Sequence, residues 1–260
     1  MLHYTTYEKD PAAEWVTFIH GAGGSSSIWF RQIRDFRKHY NVLLIDLRGH
    51  GKSKQPIYEK LKRYTFDVIG DEVIEVLDHL GIAKTHFIGI SLGTIIIREI
   101  SERHPERSSS MILGGAVMKI NVRGQILMRM GVLLQSVIPY LFLYRFFAFI
   151  IMPRQRHKES RNLFINEAKK LYTKEFKRWF TLVSQVNPLL HFFRIKDSGI
   201  PTLYIMGAED YMFLPSISKL VRNHKSSTLF VIPKCGHVVN VEQPEVFNRE
   251  VIGFLGGLKR

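Results

Sequence analysis

The sequence predicts an α/β protein: a mostly parallel, doubly wound sheet with a helical segment inserted before the strand at 201–207. Three observations carry that expectation. Short continuous apolar runs alternate with amphipathic stretches along most of the chain, and strands of that kind belong to parallel sheets covered by helices on both faces. His20, Asp46, Ser91 and Asp210 each follow an apolar run, and sites in such sheets collect at the carboxyl ends of the strands. One long stretch, 118–199, shows no strand pattern.

The elements follow in order. The few residues before WVTFIHG (15–21) leave room for about one strand. WVTFIHG is strand-like, and SIWFRQIRDFRKH (27–39) is helix-like. NVLLIDLRGHG (41–51) reads as a strand running into a loop. TFDVIGDEVIEVLDHLGI (65–82) sets Val68, Val73, Val76, Leu77 and Leu80 at helical spacing and stops at Gly81. HFIGIS, then LGTIIIREISERHPE, repeats strand and helix, and SSMILGGAV (109–117) is a further strand. PTLYIMGAED (201–210), a helix near 215–224, TLFVIP (228–233) and a helix over 244–258 complete the series.

The expected division is a core of 1–117 and 200–260 carrying a helical cap at 118–199. Within the cap, 161–183 reads as an amphipathic helical run with Phe164, Ala168, Leu171, Phe176, Trp179 and Val183 near one face. The apolar run 131–152 has a longest charge-free stretch of 15 residues, Met130 to Tyr144, below the roughly 20 that span a bilayer. A cap that is buried or lies at an interface is expected instead.

Charge is concentrated in the same place. Residues 118–199 hold 15 Lys and Arg against 4 Asp and Glu, so +11 of the formal +14 belongs to the cap. A basic segment suits anionic membrane or an anionic substrate. Its basic residues lie among large apolar ones rather than on a nucleic-acid motif, so nucleic acid is not an expected partner. The start, MLHYTTYEKD, lacks the pattern of a secretory signal. Cys235 is the single cysteine, which excludes an internal disulfide framework and a cysteine-rich metal site, so a reducing cytoplasm is expected.

Gly89-Ile90-Ser91-Leu92-Gly93 fits G-x-S-x-G at a strand-to-helix join. Glycines there relieve crowding and let the serine hydroxyl project. A serine is a poor nucleophile without a base and a group to orient that base. Asp210, in Gly207-Ala208-Glu209-Asp210, ends one later strand, and His237, in Cys235-Gly236-His237, follows the last. His20-Gly21-Ala22-Gly23-Gly24 is a glycine-rich turn that can present backbone N–H groups. Other motifs fail: Asp46 occupies the first glycine of a phosphate loop ending at Lys52 and Ser53, and Ser26 occupies the last glycine of a dinucleotide fingerprint. No metal-ligand spacing occurs, and no cofactor is expected.

With HGAGG, DLRGHGKS (46–53), the serine turn, GAED and GHVVNVEQP in that order, the sequence resembles the α/β-hydrolase superfamily over essentially its whole length. The chain order Ser91, Asp210, His237 is that family's. The resemblance implies Ser91 as nucleophile, His237 as base, Asp210 as the acid in preference to Glu209, and an oxyanion site at the backbone N–H groups of Ala22 and Leu92. It implies the cap as a lid, and an esterase or lipase acting on a small ester or acyl substrate. Thioester cleavage, carbon–carbon hydrolysis, perhydrolysis, acyl transfer and ligand capture by a signalling protein remain open on the same fold. An aspartate nucleophile of the dehalogenase kind is disfavoured by Ser91. His20, Asp46, Arg48 and His50 are expected to brace loops, and Cys235 to be a packed thiol.

Overall fold

Seven strands form one sheet in a computed structural model of the chain, which describes residues 1–53, 64–135 and 137–258. They are β1 (Tyr4–Tyr7), β2 (Trp15–Ile19), β3 (Asn41–Ile45), β4 (Thr85–Ile90), β5 (Ser108–Gly114), β6 (Thr202–Gly207) and β7 (Ser227–Ile232), in the order β1-β3-β2-β4-β5-β6-β7. Only β1 runs antiparallel, against β3. One short strand therefore precedes β2, as the short N-terminal stretch predicts. Residues 54–63 and 259–260 of the expected core lie outside the described residues.

The apolar strands are buried on both faces. Val42 and Leu44 of β3 enter one core layer, Leu43 and Ile45 the other, because successive side chains of a strand point to opposite faces. Helices α1 (Phe30–Phe36) and α11 (Pro244–Gly257) supply Phe36, Phe247, Val251 and Leu255 to the first layer. Helices α2 (Phe66–His79) and α3 (Leu92–Arg103) supply Ile69, Val73, Ile96 and Ile100 to the second, joined by Ile217 and Leu220 of α9 (Leu214–Val221). A single turn, α10 (Val239–Glu242), leads into α11.

Between β5 and β6 come five α-helices among the described residues: α4 (Val122–Leu134), α5 (Tyr140–Ile151), α6 (Lys158–Ala168), α7 (Thr173–Ser184) and α8 (Asn187–Ile195). Asn121 caps α4 by accepting from the Gly124 N–H at 2.8 Å, and Pro139 stands at the start of α5. The run 161–183 is not one helix. It breaks at Lys169–Tyr172, between α6 and α7. No glycine or proline marks the break; packing makes it. The freed Leu171 carbonyl accepts from Tyr140 Oη at 3.0 Å, and the Tyr140 ring packs 5.3 Å from that of Phe176 in the first turn of α7.

These helices sit against the carboxyl ends of the strands. Tyr144 Oη donates to the Ala22 carbonyl at 2.9 Å, Ser25 Oγ donates to Glu167 at 2.8 Å, and Trp179 Nε1 donates to the Arg48 carbonyl at 3.1 Å. Among the described residues no helix is long and apolar enough to cross a membrane.

Below this contact lies a buried ion pair. Arg48 Nε and Nη2 donate to Glu72 at 3.0 and 2.6 Å, with the Arg48 side chain wholly buried. Burial pushes the Glu72 carboxyl up, and the guanidinium opposes that shift. Removing Glu72 takes away the carboxylate that two N–H groups of the buried guanidinium share. Glu72→Ala is expected to cost about 3–5 kcal/mol in a urea unfolding experiment. A loss under about 1 kcal/mol would mean the pair behaves as a surface pair.

Candidate active site

The site is built at one tight join. Ser91 links β4 to α3 with φ 53° and ψ −117°, a conformation costly to any residue with a Cβ. The surrounding glycines make it possible. A Cβ at Gly93 would run into the Ile19 carbonyl oxygen, and one at Gly89 would lie 3.0 Å from the Gly93 carbonyl carbon. The Ser91 N–H donates to the Gly114 carbonyl at 3.0 Å, and Thr94 Oγ1 closes the turn by donating to the Ser91 carbonyl at 2.6 Å. The Ser91 side chain is thereby aimed out of the sheet.

Two loops bring its partners. Ser91 Oγ and His237 Nε2 are 2.9 Å apart, and His237 Nδ1 lies 2.7 Å from Asp210 Oδ2. Asp210 is fully buried, and its other oxygen accepts from the Phe213 N–H at 3.2 Å. The loops touch through glycine backbones. A Cβ at Gly207 would strike the Gly236 carbonyl oxygen, and one at Gly115 the His237 carbonyl oxygen. Glu242 accepts from the Gly236 N–H at 2.7 Å and so fixes the turn before His237. Chemically, a hydroxyl facing an imidazole whose far nitrogen faces a carboxylate can pass its proton to the ring, because the carboxylate holds the ring's tautomer and stabilises imidazolium.

Glu209 points elsewhere. Its oxygens face His157 Nε2 at 3.0 Å and Arg154 at 2.8 Å, which ties the start of α6 to the β6 loop. Cys235 is buried, and desolvation raises its thiol pKa far above the ordinary range, so it stays protonated and unreactive.

The HGAGG turn is braced by histidines. His20 Nε2 accepts from the Leu47 N–H at 3.0 Å, so its Nδ1 carries the proton donated to the Gly21 carbonyl at 2.8 Å. Burial lowers the His20 pKa, in keeping with a neutral ring. His50 Nε2 accepts from the Gly23 N–H at 2.9 Å. Asp46 accepts from the N–H groups of Ser26 and Lys52 at 2.7 and 2.9 Å. Burial pushes the Asp46 carboxyl up, but those donors outweigh it and hold the pKa below the usual value. The brace falls to these core residues and to Tyr144, whose hydroxyl grips the Ala22 carbonyl. No local pattern announces Tyr144, since it comes from α5.

Ser91, Leu92, Ala22 and His237 all border one cavity of about 180 Å³. Its other walls are apolar: Leu127 and Met128 of α4, Tyr144, Phe147 and Ile151 of α5, Phe176, Trp179 and Phe180 of α7, and Phe213. No charged side chain lines it among the described residues.

The chain belongs to the alpha/beta hydrolase fold family, whose model matches residues 14–244. It is 28% identical over 259 residues to 3-oxoadipate enol-lactonase 2 of Acinetobacter baylyi, covering 96% of this chain and 91% of that one. Among solved structures it is similar to MenH from S. aureus, with TM-score 0.84, 19% identity and all of both chains covered. A structure from the thaumarchaeon Nitrososphaera gargenis, described in a study of carboxylesterases, gives TM-score 0.78 at 21% identity, with 99% and 94% coverage. The family and these relatives support hydrolase activity for the protein.

Proposed function

We propose that this hydrolase cleaves carboxylic esters of apolar acyl groups through an acyl-enzyme on Ser91. The observation that carries the proposal is the opening of the Ser91–His237–Asp210 relay into a cavity walled almost wholly by apolar side chains. His237 takes the Ser91 proton as Oγ attacks the ester carbonyl, and returns it to the departing alkoxide. Water, deprotonated by the same ring, then releases the acid. Asp210 keeps the Nδ1 proton of His237 in place. The N–H groups of Ala22 and Leu92 receive the developing oxyanion, each donor being worth about 3 kcal/mol in the transition state.

Helices α4–α8, within 118–199, serve as the lid. Their apolar inner walls take the acyl chain and exclude water from Ser91. The named relative acts on an oxoadipate lactone, and an adipate carries carboxylate. A carboxylate deep in this cavity would meet no cation among the described residues, and an unpaired buried charge is costly. That argues for an apolar acyl group rather than an acidic one.

The outer faces of the same helices are apolar too. Leu133 of α4 and Val137, in the turn before α5, are 79% and 83% exposed, and Phe142, Phe146 and Phe149 of α5 are also open. Arg129 and Arg145 are exposed among them. Apolar side chains fringed by arginine suit the surface of an anionic bilayer, so we assign a peripheral membrane contact to this face and a cytoplasmic location to the protein.

Two measurements test the proposal. Hydrolysis of p-nitrophenyl esters is expected to rise at least tenfold in kcat/KM from acetyl to octanoyl, since each buried methylene contributes about 0.8 kcal/mol. A strict acetyl preference would remove the acyl groove. The protein should sediment with phosphatidylglycerol vesicles in low salt and less so at about 1 M salt, where the Debye length falls to about 3 Å. No sedimentation in low salt would remove the membrane contact.

A further inference from the structure

A second concavity, a groove of about 900 Å³, runs along the next face of α4 from the catalytic cavity. The two share Ile120 as a common wall. The groove differs from its neighbour in charge: Lys119, Arg129, His191 and Arg194 line it, and no carboxylate does among the described residues. Lys119 and Arg129 are exposed and have no hydrogen-bond or ion-pair partner among the described residues. Arg194 gives one N–H to the Met118 carbonyl at 2.5 Å, and desolvation lowers its pKa. Elsewhere on this surface arginines find carboxylates, as Arg103 does with Asp71 at 2.6 Å and Arg107 with Asp78 at 2.7 Å.

Cations gathered without acidic partners create a field that an anion relieves. Their kind and spread say which anion. A guanidinium presents paired donors matched to phosphate oxygens, and the groove is too large for a lone ion. Position adds the rest. A ligand seated here lies one wall from the cavity proposed for the acyl chain.

We propose that this groove binds the phosphate-bearing alcohol or thiol portion of the substrate, so that the preferred substrates are acyl esters or thioesters with a phosphate on the leaving group. The proposal rests on the reading of Ser91 and its cavity as an acyl-ester site. Such a phosphate reaches the enzyme in two forms, a glycerophosphate headgroup or a nucleotide thiol carrier. In either case Lys119, Arg129 and Arg194 hold the phosphate while the acyl chain lies against Phe147 and Phe180. Hydrolysis then releases an anionic product from the groove and an acid from the cavity.

The test separates the groove from the chemistry. Ser91→Ala protein, which cannot turn over, is titrated calorimetrically with glycerol 3-phosphate and with adenosine 3′,5′-bisphosphate. At least one is expected to bind, more weakly as salt rises. Adding Lys119→Glu and Arg129→Glu, both at exposed and unpartnered positions, is expected to weaken that binding about tenfold or more, a change of about 1.4 kcal/mol. The ligand that binds identifies the source of the phosphate. In the Ser91 protein, the ratio of kcat/KM for a decanoyl glycerophosphate or decanoyl-CoA to that for p-nitrophenyl decanoate should fall by a similar factor on charge reversal. Binding of neither phosphate, or binding indifferent to charge reversal, overturns the groove. Charge-sensitive binding in a protein that hydrolyses no ester would instead retain the groove and overturn the reading of Ser91.

Discussion

Ser91 is held at φ 53°, ψ −117°, where a residue with a Cβ stores about 1–3 kcal/mol of backbone strain. The strain persists because the first turn of α3 presses directly onto the end of β2. Only a glycine at 93 fits against the Ile19 and His20 carbonyls. That contact fixes the height of the serine above the sheet, and the rest of the site is arranged around it. Gly207 and Gly115 let the Asp210 and His237 loops close to backbone contact over the same strand ends. The 2.9 Å and 2.7 Å relay is thus a consequence of backbone packing rather than of side-chain reach.

A second set of constraints shapes the loops beside the serine. His20 and His50 stand 4.9 Å apart and hold the HGAGG turn through ring nitrogens rather than through charge. A neutral ring buried at this point costs less than a charged one, which agrees with the lowered His20 pKa. The Arg48–Glu72 pair carries the loop after β3, and Trp179 of α7 closes over it by donating to the Arg48 carbonyl. The overlying helices are therefore tied to the same loops that frame Ser91.

The sheet was legible because its signal is local. Five-residue apolar runs such as NVLLI specify strands buried on both faces, and Gly89 and Gly93 flag a turn that only small residues permit. Ser91, Asp210 and His237 could be singled out because each follows such a run. The helical insertion was less legible. Its break at 169–172 lacks any breaker residue; the contacts made there, Tyr140 Oη on the Leu171 carbonyl and the Tyr140 ring beside Phe176, come from α5. The apolar run 131–152 does not announce an outer face, yet Phe142, Leu133 and Val137 are exposed. Which of two apolar faces meets the cavity depends on how α4 and α5 cross the strand ends. The gathering of Lys119, Arg129 and Arg194 is likewise invisible in the sequence, where only a net charge is on view. It takes the fold to bring Lys119, just before α4, and Arg129 of α4 beside Arg194 of α8, with no carboxylate lining the groove among the described residues.

On the function proposed above, this strained turn makes Ser91 the covalent nucleophile of the site. Intact-mass and peptide mass spectrometry after treatment with a fluorophosphonate measure that directly. A single adduct is expected, located on Ser91, abolished in Ser91→Ala and strongly slowed in His237→Ala, because the ring that accepts the proton is gone. An adduct on another residue, or unchanged labelling after Ser91→Ala, would contradict it.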